Sequence, residues 1–190
     1  MTTRETRESS LPVIGPALAY RMVDMLHLSG DDILVIPVAN RGELVKPIFT
    51  ETHRPMFAVP RMTRLLERDE DQCSRLMKEL PQYDKERSPI IVLNGDFLQQ
   101  TLVDATVIAL GPPVGEERDI YHVYHAWKML VPGGRLVPLC SETAFQGLTG
   151  LSQAFLAFLD VTRAAYTSVS PDSFSDRTTK AKLVYLEKHS

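Results

Sequence analysis

The chain has 190 residues, of which 44% are hydrophobic and 24% charged, and a formal net charge of −3. That length suits one α/β domain with its own core and falls short of two average domains, and the composition is that of a globular rather than a disordered or membrane protein. A slightly acidic chain has no overall positive field to attract phosphate backbones, so any nucleic-acid contact would have to be local.

Residues 1–10 are polar, read as a loose tail, and lack the apolar stretch of a signal peptide. The longest apolar runs, such as Ile90 to Leu93 and Thr106 to Leu110, are far below the roughly 20 residues needed to span a bilayer. The expectation is a cytoplasmic protein with no membrane partner, its single domain covering residues 11–190. Cys73 and Cys140 then read as reduced thiols rather than a disulfide.

Pro16 is followed by Ala17, Leu18, Met22, Val23, Met25 and Leu26 at helical spacing, a helix ending between His27 and Gly30. Ile33 to Val38 is an apolar run suited to a buried parallel strand, opening into Ala39-Asn40-Arg41-Gly42 and a second helix from Glu43. Met56 to Val59 reads as a second strand, stopped by Pro60. Residues 62–80 carry apolar side chains at 62, 65, 66, 73, 76, 77 and 80, which reads as an amphipathic helix. Pro81 to Pro89 is a polar loop. Strands are expected at Ile90 to Leu93, Val103 to Leu110, Arg135 to Leu139 and Ala181 to Leu186. Helices are expected at Asp119 to Leu130 and Leu151 to Ala165, and Val131-Pro132-Gly133-Gly134 marks a turn. Strands alternating with helices imply a Rossmann-like, doubly wound, mostly parallel sheet with helices on both faces.

The segment Asp119 to Val137, DIYHVYHAWKMLVPGGRLV, with Ser141-Glu142-Thr143-Ala144-Phe145 and Pro171-Asp172-Ser173-Phe174, resembles a family of phage- and plasmid-borne DNA adenine N6-methyltransferase-like proteins. The likeness spans residues 15–188. It implies a class I methyltransferase fold, S-adenosylmethionine as cofactor in an active member, and three motif positions. The first, E-P-x-A-G-x-G, falls on Ile36 to Gly42, where Pro37, Ala39 and Gly42 remain but the acid and first glycine are replaced by Ile36 and Asn40. Asn40 tolerates the left-handed region that the glycine would adopt, though its side chain takes up room. The acid expected at the end of the second strand falls on Pro60, which has no side-chain acceptor. Asn94-Gly95-Asp96-Phe97 keeps a GDF pattern whose acid and aromatic flank the adenine in active relatives. The cofactor positions are therefore Pro37, Ala39, Asn40, Gly42, Asp96 and Phe97, if a cofactor is retained.

The catalytic motif of these relatives, D/N-P-P-F/Y, reads Gly111-Pro112-Pro113-Val114 here. The motif's first residue accepts a hydrogen bond from the target amine and its aromatic stacks on the extruded base. Gly111 has no acceptor and Val114 no flat ring, so the motif is vestigial. The expectation is a degenerate member: no cofactor, no catalysis, and a role in binding a protein or a nucleic acid. The alternative is an active enzyme with divergent motifs. A third reading, a nucleotide bound at Asn40-Arg41-Gly42 by a helix N-terminus, lacks the full glycine fingerprint.

Other candidates read blandly. His122 and His125, three apart on a helix, are expected at the surface or the core edge, because no ligand cluster completes a metal site. Cys140 reads as core. Arg41 and Arg61 are expected at adjacent strand mouths, as solvated tips or as part of a partner-binding face; the next candidate surface is the charged face of the helix expected at residues 62–80, which a partner or a second copy of the chain could also use.

Overall fold

The computed structural model describes residues 12–49, 58–80, 88–111, 115 and 117–189. In chain order these form α1 (Pro16–Met25), β1 (Ile33–Pro37), α2 (Lys46–Phe49), β2 (Met62–Glu67), α3 (Glu70–Glu79), β3 (Ile90–Asn94), β4 (Ala105–Leu110), α4 (Arg118–Met129), β5 (Leu130–Ser141), α5 (Gly150–Val161), β6 (Ala165–Val169) and β7 (Ala181–Glu187). One seven-stranded sheet has the order β3-β2-β1-β4-β5-β7-β6. The pairs among β1 to β5 are parallel and β7 runs antiparallel between β5 and β6. The Rossmann-like architecture expected from the sequence is the one observed. Among the described residues no helix is long and apolar enough to cross a membrane.

β1 is buried along its whole length, as a central strand covered on both faces must be. One core layer joins Met22 and Val23 of α1 and Leu76 of α3 to Ile36, Ala109 and Leu183. The other joins Ile120, Val123 and Ala126 of α4 and Phe155 of α5 to Val35, Ile108 and Leu136. Between α4 and α5, Tyr124 and Trp127 meet Phe158 edge to face, with centroids 5.1 and 5.4 Å apart.

Two expectations are corrected. Residues 62–80 are not one helix: Met62–Glu67 is β2, paired on one side with β1 and on the other with β3, and only Glu70–Glu79 is helical. The break is made by Asp69, whose side chain accepts the Gln72 N–H as an N-cap. Ala58 to Pro60 is not a strand, and Met56 and Phe57 lie outside the described residues. The second correction is β6, which begins at Ala165, where the helix was expected to end.

The expected turn at Val131 to Gly134 is present as an interruption within β5, looped out between the pairings Ala105–Leu130 and Val107–Arg135. Gly134 is required there, since a Cβ would lie 2.6 Å from Leu130 Cγ and 2.9 Å from the Thr106 carbonyl oxygen.

Candidate functional site

The C-terminal ends of β1, β2, β3 and β4 open toward one side, where an open α/β sheet places its ligands. The turn after β1 is held on all sides. Ala39 donates to the Leu66 carbonyl at 2.8 Å, and Gly42 donates to the Ala39 carbonyl at 2.8 Å. Asn40 N–H donates to a Glu67 carboxylate oxygen at 2.7 Å. Asn40 lies in the left-handed region at φ 48°, as the sequence led us to expect, but so does Val38, at φ 61°. Ile36 and Pro37 are buried, and no acid ends β1.

The acid at the end of the second strand is Glu67, not the position of Pro60. Pro60 precedes β2, so the acid that the resemblance led us to look for at a strand end is sought at Glu67 instead. Sequence reasoning missed Glu67 because the strand was placed six residues too early. The signal was present in Asp69-Glu70-Asp71, an N-cap followed by first-turn acids, which marks a helix start and hence the end of the preceding strand. Glu67 is 7% exposed, and its other oxygen accepts the Asp69 N–H at 2.9 Å. Glu43, two residues beyond Arg41, accepts from Arg41 N–H at 3.1 Å and Asn40 Nδ2 at 3.4 Å. Burial pushes the Glu43 carboxyl above its ordinary range, against hydrogen bonds from its own N–H and that of Arg41 and the charges of Lys46 and Arg41.

Asp96, two residues beyond β3, spends its carboxylate on the Leu98 N–H of a short 3-10 turn at 3.0 Å. Phe97 is buried and stands 4.8 Å edge to face from His125 and 5.9 Å stacked on His122. Both histidines are committed to backbone carbonyls, His122 to Arg118 at 2.8 Å and His125 to Gln100 at 2.9 Å. Among the described residues no cluster suits a metal.

Gly111 follows β4; Pro112, Pro113 and Val114 lie outside the described residues. A Cβ on Gly111 would sit 2.9 Å from Ile14 Cδ1 and 3.7 Å from Leu44 Cδ1, so the chain's own side chains cover the place where an amine acceptor would project. Ile14, Val38, Asn40, Glu43, Leu44 and Phe174 close around Gly111, leaving about 10 Å³, roughly one water. Among the described residues, the space left beside Gly111 holds nothing larger than a water.

Three further placements matter. Arg61 precedes β2 and therefore lies at the opposite end of the sheet from Arg41, so the two do not share a strand mouth. Asp119, near the start of α4, is fully buried. One of its oxygens accepts the Ser141 N–H, while Oδ1 has no hydrogen-bond partner among the described residues. Burial raises its carboxyl, opposed by the Ser141 contact. Cys140 and Cys73 are both buried free thiols, each pushed up by burial, Cys140 well above its ordinary value. Neither is an activated nucleophile.

No family model matches this chain, and no curated protein matches its sequence. Solved structures do. The chain is similar to the methyltransferase subunit of a type I restriction-modification system from Streptococcus thermophilus, with TM-score 0.73 and 11% identity over 95% of this chain and 45% of that one. It is also similar to a dimethyladenosine transferase from Plasmodium falciparum, with TM-score 0.68 and 13% identity over 92% of this chain and 62% of that one. A geranyl diphosphate C-methyltransferase from Streptomyces coelicolor, solved with S-adenosyl-L-homocysteine, gives TM-score 0.61 and 15% identity over 90% of this chain and 78% of that one. The fold is that of a class I methyltransferase. This chain thus spans about half to four-fifths of the length of these structures. Their names cover a nucleic-acid modifier and a small-molecule enzyme on one scaffold, so the methyltransferase fold by itself does not choose a substrate.

Proposed function

We propose that this methyltransferase-fold chain does not transfer methyl groups and works as a binding module for another macromolecule. The observation that carries the reading is Gly111. The end of β4 offers no side-chain acceptor for a target amine, and Ile14 occupies the space where one would project. The small residual cleft and the replacement of the β1 acid by apolar Ile36 support the same reading. A phage- or plasmid-borne setting, implied by the sequence resemblance, belongs to this proposal as well.

Among the described residues, carboxylates gather near the strand ends that would face a partner, Glu43, Asp69, Asp96 and Glu117, with Arg41, Lys46 and Arg68 as cations beside them. A surface of that balance disfavours phosphate backbones, so the partner we favour is a protein.

Glu67 favours the second reading, an active S-adenosylmethionine-dependent enzyme, because an acid does end β2. Against it, both Glu67 oxygens already accept backbone N–H groups. The test is transfer of labelled methyl from S-adenosylmethionine to duplex DNA, total RNA and lysate protein. We expect none from the chain itself, and none from the double variant Gly111→Asn with Val114→Phe. Label transferred by the unmodified chain would overturn the reading.

A further inference from the structure

β6 closes one end of the sheet, bonded to β7 on one side and to no described strand on the other. A bare strand edge presents a row of unpaired N–H and C=O groups, and natural proteins blunt it with charged side chains, proline or a bulge. β6 has none of these. Its sequence is Ala-Tyr-Thr-Ser-Val, and four of its five residues are exposed. Its register with β7 runs unbroken from Ala165–Tyr185 to Val169–Ala181. The one large side chain on it is held over its own sheet: Tyr166 packs on Phe145 with centroids 5.0 Å apart, and Lys182 Nζ lies 4.5 Å from the Phe145 centroid and 5.1 Å from that of Tyr166.

The two ends of this edge carry opposite charge. Arg163, just before β6, is exposed, and its backbone is fixed at φ 54° by a hydrogen bond from its N–H to the Asp160 carbonyl at 3.0 Å. Asp172, just after β6, is exposed in the short 3-10 turn Pro171–Ser173. Neither has an ion-pair partner among the described residues. An antiparallel copy of the same edge complements this order of charges, whereas a parallel copy sets like charges together.

A two-fold axis through Thr167 uses the full length of the strand. Ala165 then faces Val169 of the second copy, Tyr166 faces Ser168, and Thr167 faces its own counterpart, a favourable cross-strand pair. Continued past the strand, this register brings Arg163 of one copy beside Asp172 of the other, and the symmetry makes that contact twice.

We propose that the free edge of β6 is a self-association surface: two copies of the chain join antiparallel about Thr167, and their sheets run on as one. The edge is separated from β4 and the cleft at Gly111 by β5 and β7, and methyl transfer has no bearing on it. So short an edge falls in the class of small, transient interfaces, so the dimer dissociates on dilution.

Sedimentation equilibrium of the full chain at low salt, over about 5–500 µM, tests this. We expect a monomer–dimer equilibrium. Arg163→Glu opposes Asp172 at both ends and weakens association about fivefold or more, and adding Asp172→Arg restores it. Thr167→Cys faces itself and oxidises to a disulfide-linked dimer, while Ala165→Cys, whose counterpart sits at the far end of the partner strand, does not. The native Cys73 and Cys140 are buried and stay out of this reaction. A chain that remains monomeric over the whole range overturns the proposal. So does a dimer indifferent to the charge reversal, or one that crosslinks through Ala165→Cys in preference to Thr167→Cys.

Discussion

Replacing Glu67 separates a structural carboxylate from a waiting ligand contact. In the folded chain Glu67 is 7% exposed and accepts the Asn40 and Asp69 N–H groups at 2.7 and 2.9 Å. A hydrogen bond to a charged group contributes about 1.5–3 kcal/mol, and a buried donor left unpaired carries its desolvation cost. Glu67→Ala orphans both donors, so we expect a loss of about 3–5 kcal/mol. For a domain of this size each kcal/mol shifts Tm by about 2–4 °C, giving a fall of about 6–20 °C. Glu67→Gln keeps one carbonyl acceptor and turns an NH₂ toward the other donor, so it should lose about half as much. Urea unfolding monitored by circular dichroism, with a thermal scan, measures both variants. If Glu67→Ala unfolds within about 0.5 kcal/mol of the parent, the carboxylate is not a fastener of the β1 turn and the reasoning fails.

Asp119 and Asp32 make opposite predictions for pH. Burial raises the folded Asp119 carboxyl above its unfolded value, so the folded state binds the extra proton and this group's stabilisation is lost as pH rises above about 4. Asp119→Asn should therefore improve relative to the parent between pH 4.5 and 7; an identical difference in urea midpoint at both values would refute this. For Asp32, burial pushes upward but is outweighed by hydrogen bonds from Ser29, Thr106 and Arg135, which hold the carboxyl below its ordinary value. Its stabilisation is present at neutral pH and lost as pH falls below about 4. The ion pair with Arg135, 2.7 Å to both oxygens, is largely buried, so Asp32→Asn should cost about 3 kcal/mol at pH 7. In denaturant titrations that cost should shrink at pH 3, and a pH-independent cost would count against the assignment.

The elements that sequence reading located are those whose signals are local and redundant. β1 is an unbroken apolar run. α4 is amphipathic, and the LVPGGRLV segment supplies glycines just where the chain loops out of β5. The sequence left the histidine pair between surface and core edge, and the fold puts His122 in the core and His125 at its edge. β2 was not legible, because Met62, Leu65 and Leu66 fall by coincidence at helical spacing in register with Cys73 and Leu76. What makes 62–67 a strand is pairing to β1 and β3, partners tens of residues away, and such pairing overrides local pattern. β6 gave no signal because four of its five residues are exposed, so no burial alternation marks it. Moving β2 moved the strand end: the position read at Pro60 lies before β2, and the acid that closes β2 is Glu67. The likeness of Asp96 and Phe97 to a binding motif hid uses that only the fold reveals, a turn cap and a core ring.

The turn after β1 is held by its own chain. Left-handed backbone at a β-branched residue such as Val38 costs about 1–3 kcal/mol and survives only where neighbours over-determine it. Here they do. The Leu66 carbonyl fixes Ala39, the Glu67 carboxylate fixes Asn40, Glu43 fixes Arg41, and the Ala39 carbonyl fixes Gly42. Each is a hydrogen bond from the turn to protein, made with N–H groups that a cofactor-binding turn would leave for its ligand. The bend that glycine would have allowed without strain is instead imposed by this cage, and Glu67 is its deepest bar. A turn so occupied needs no ligand to hold its shape, which fits our proposal of a binding module and gives the Glu67 carboxylate a structural use whatever the end of β4 does.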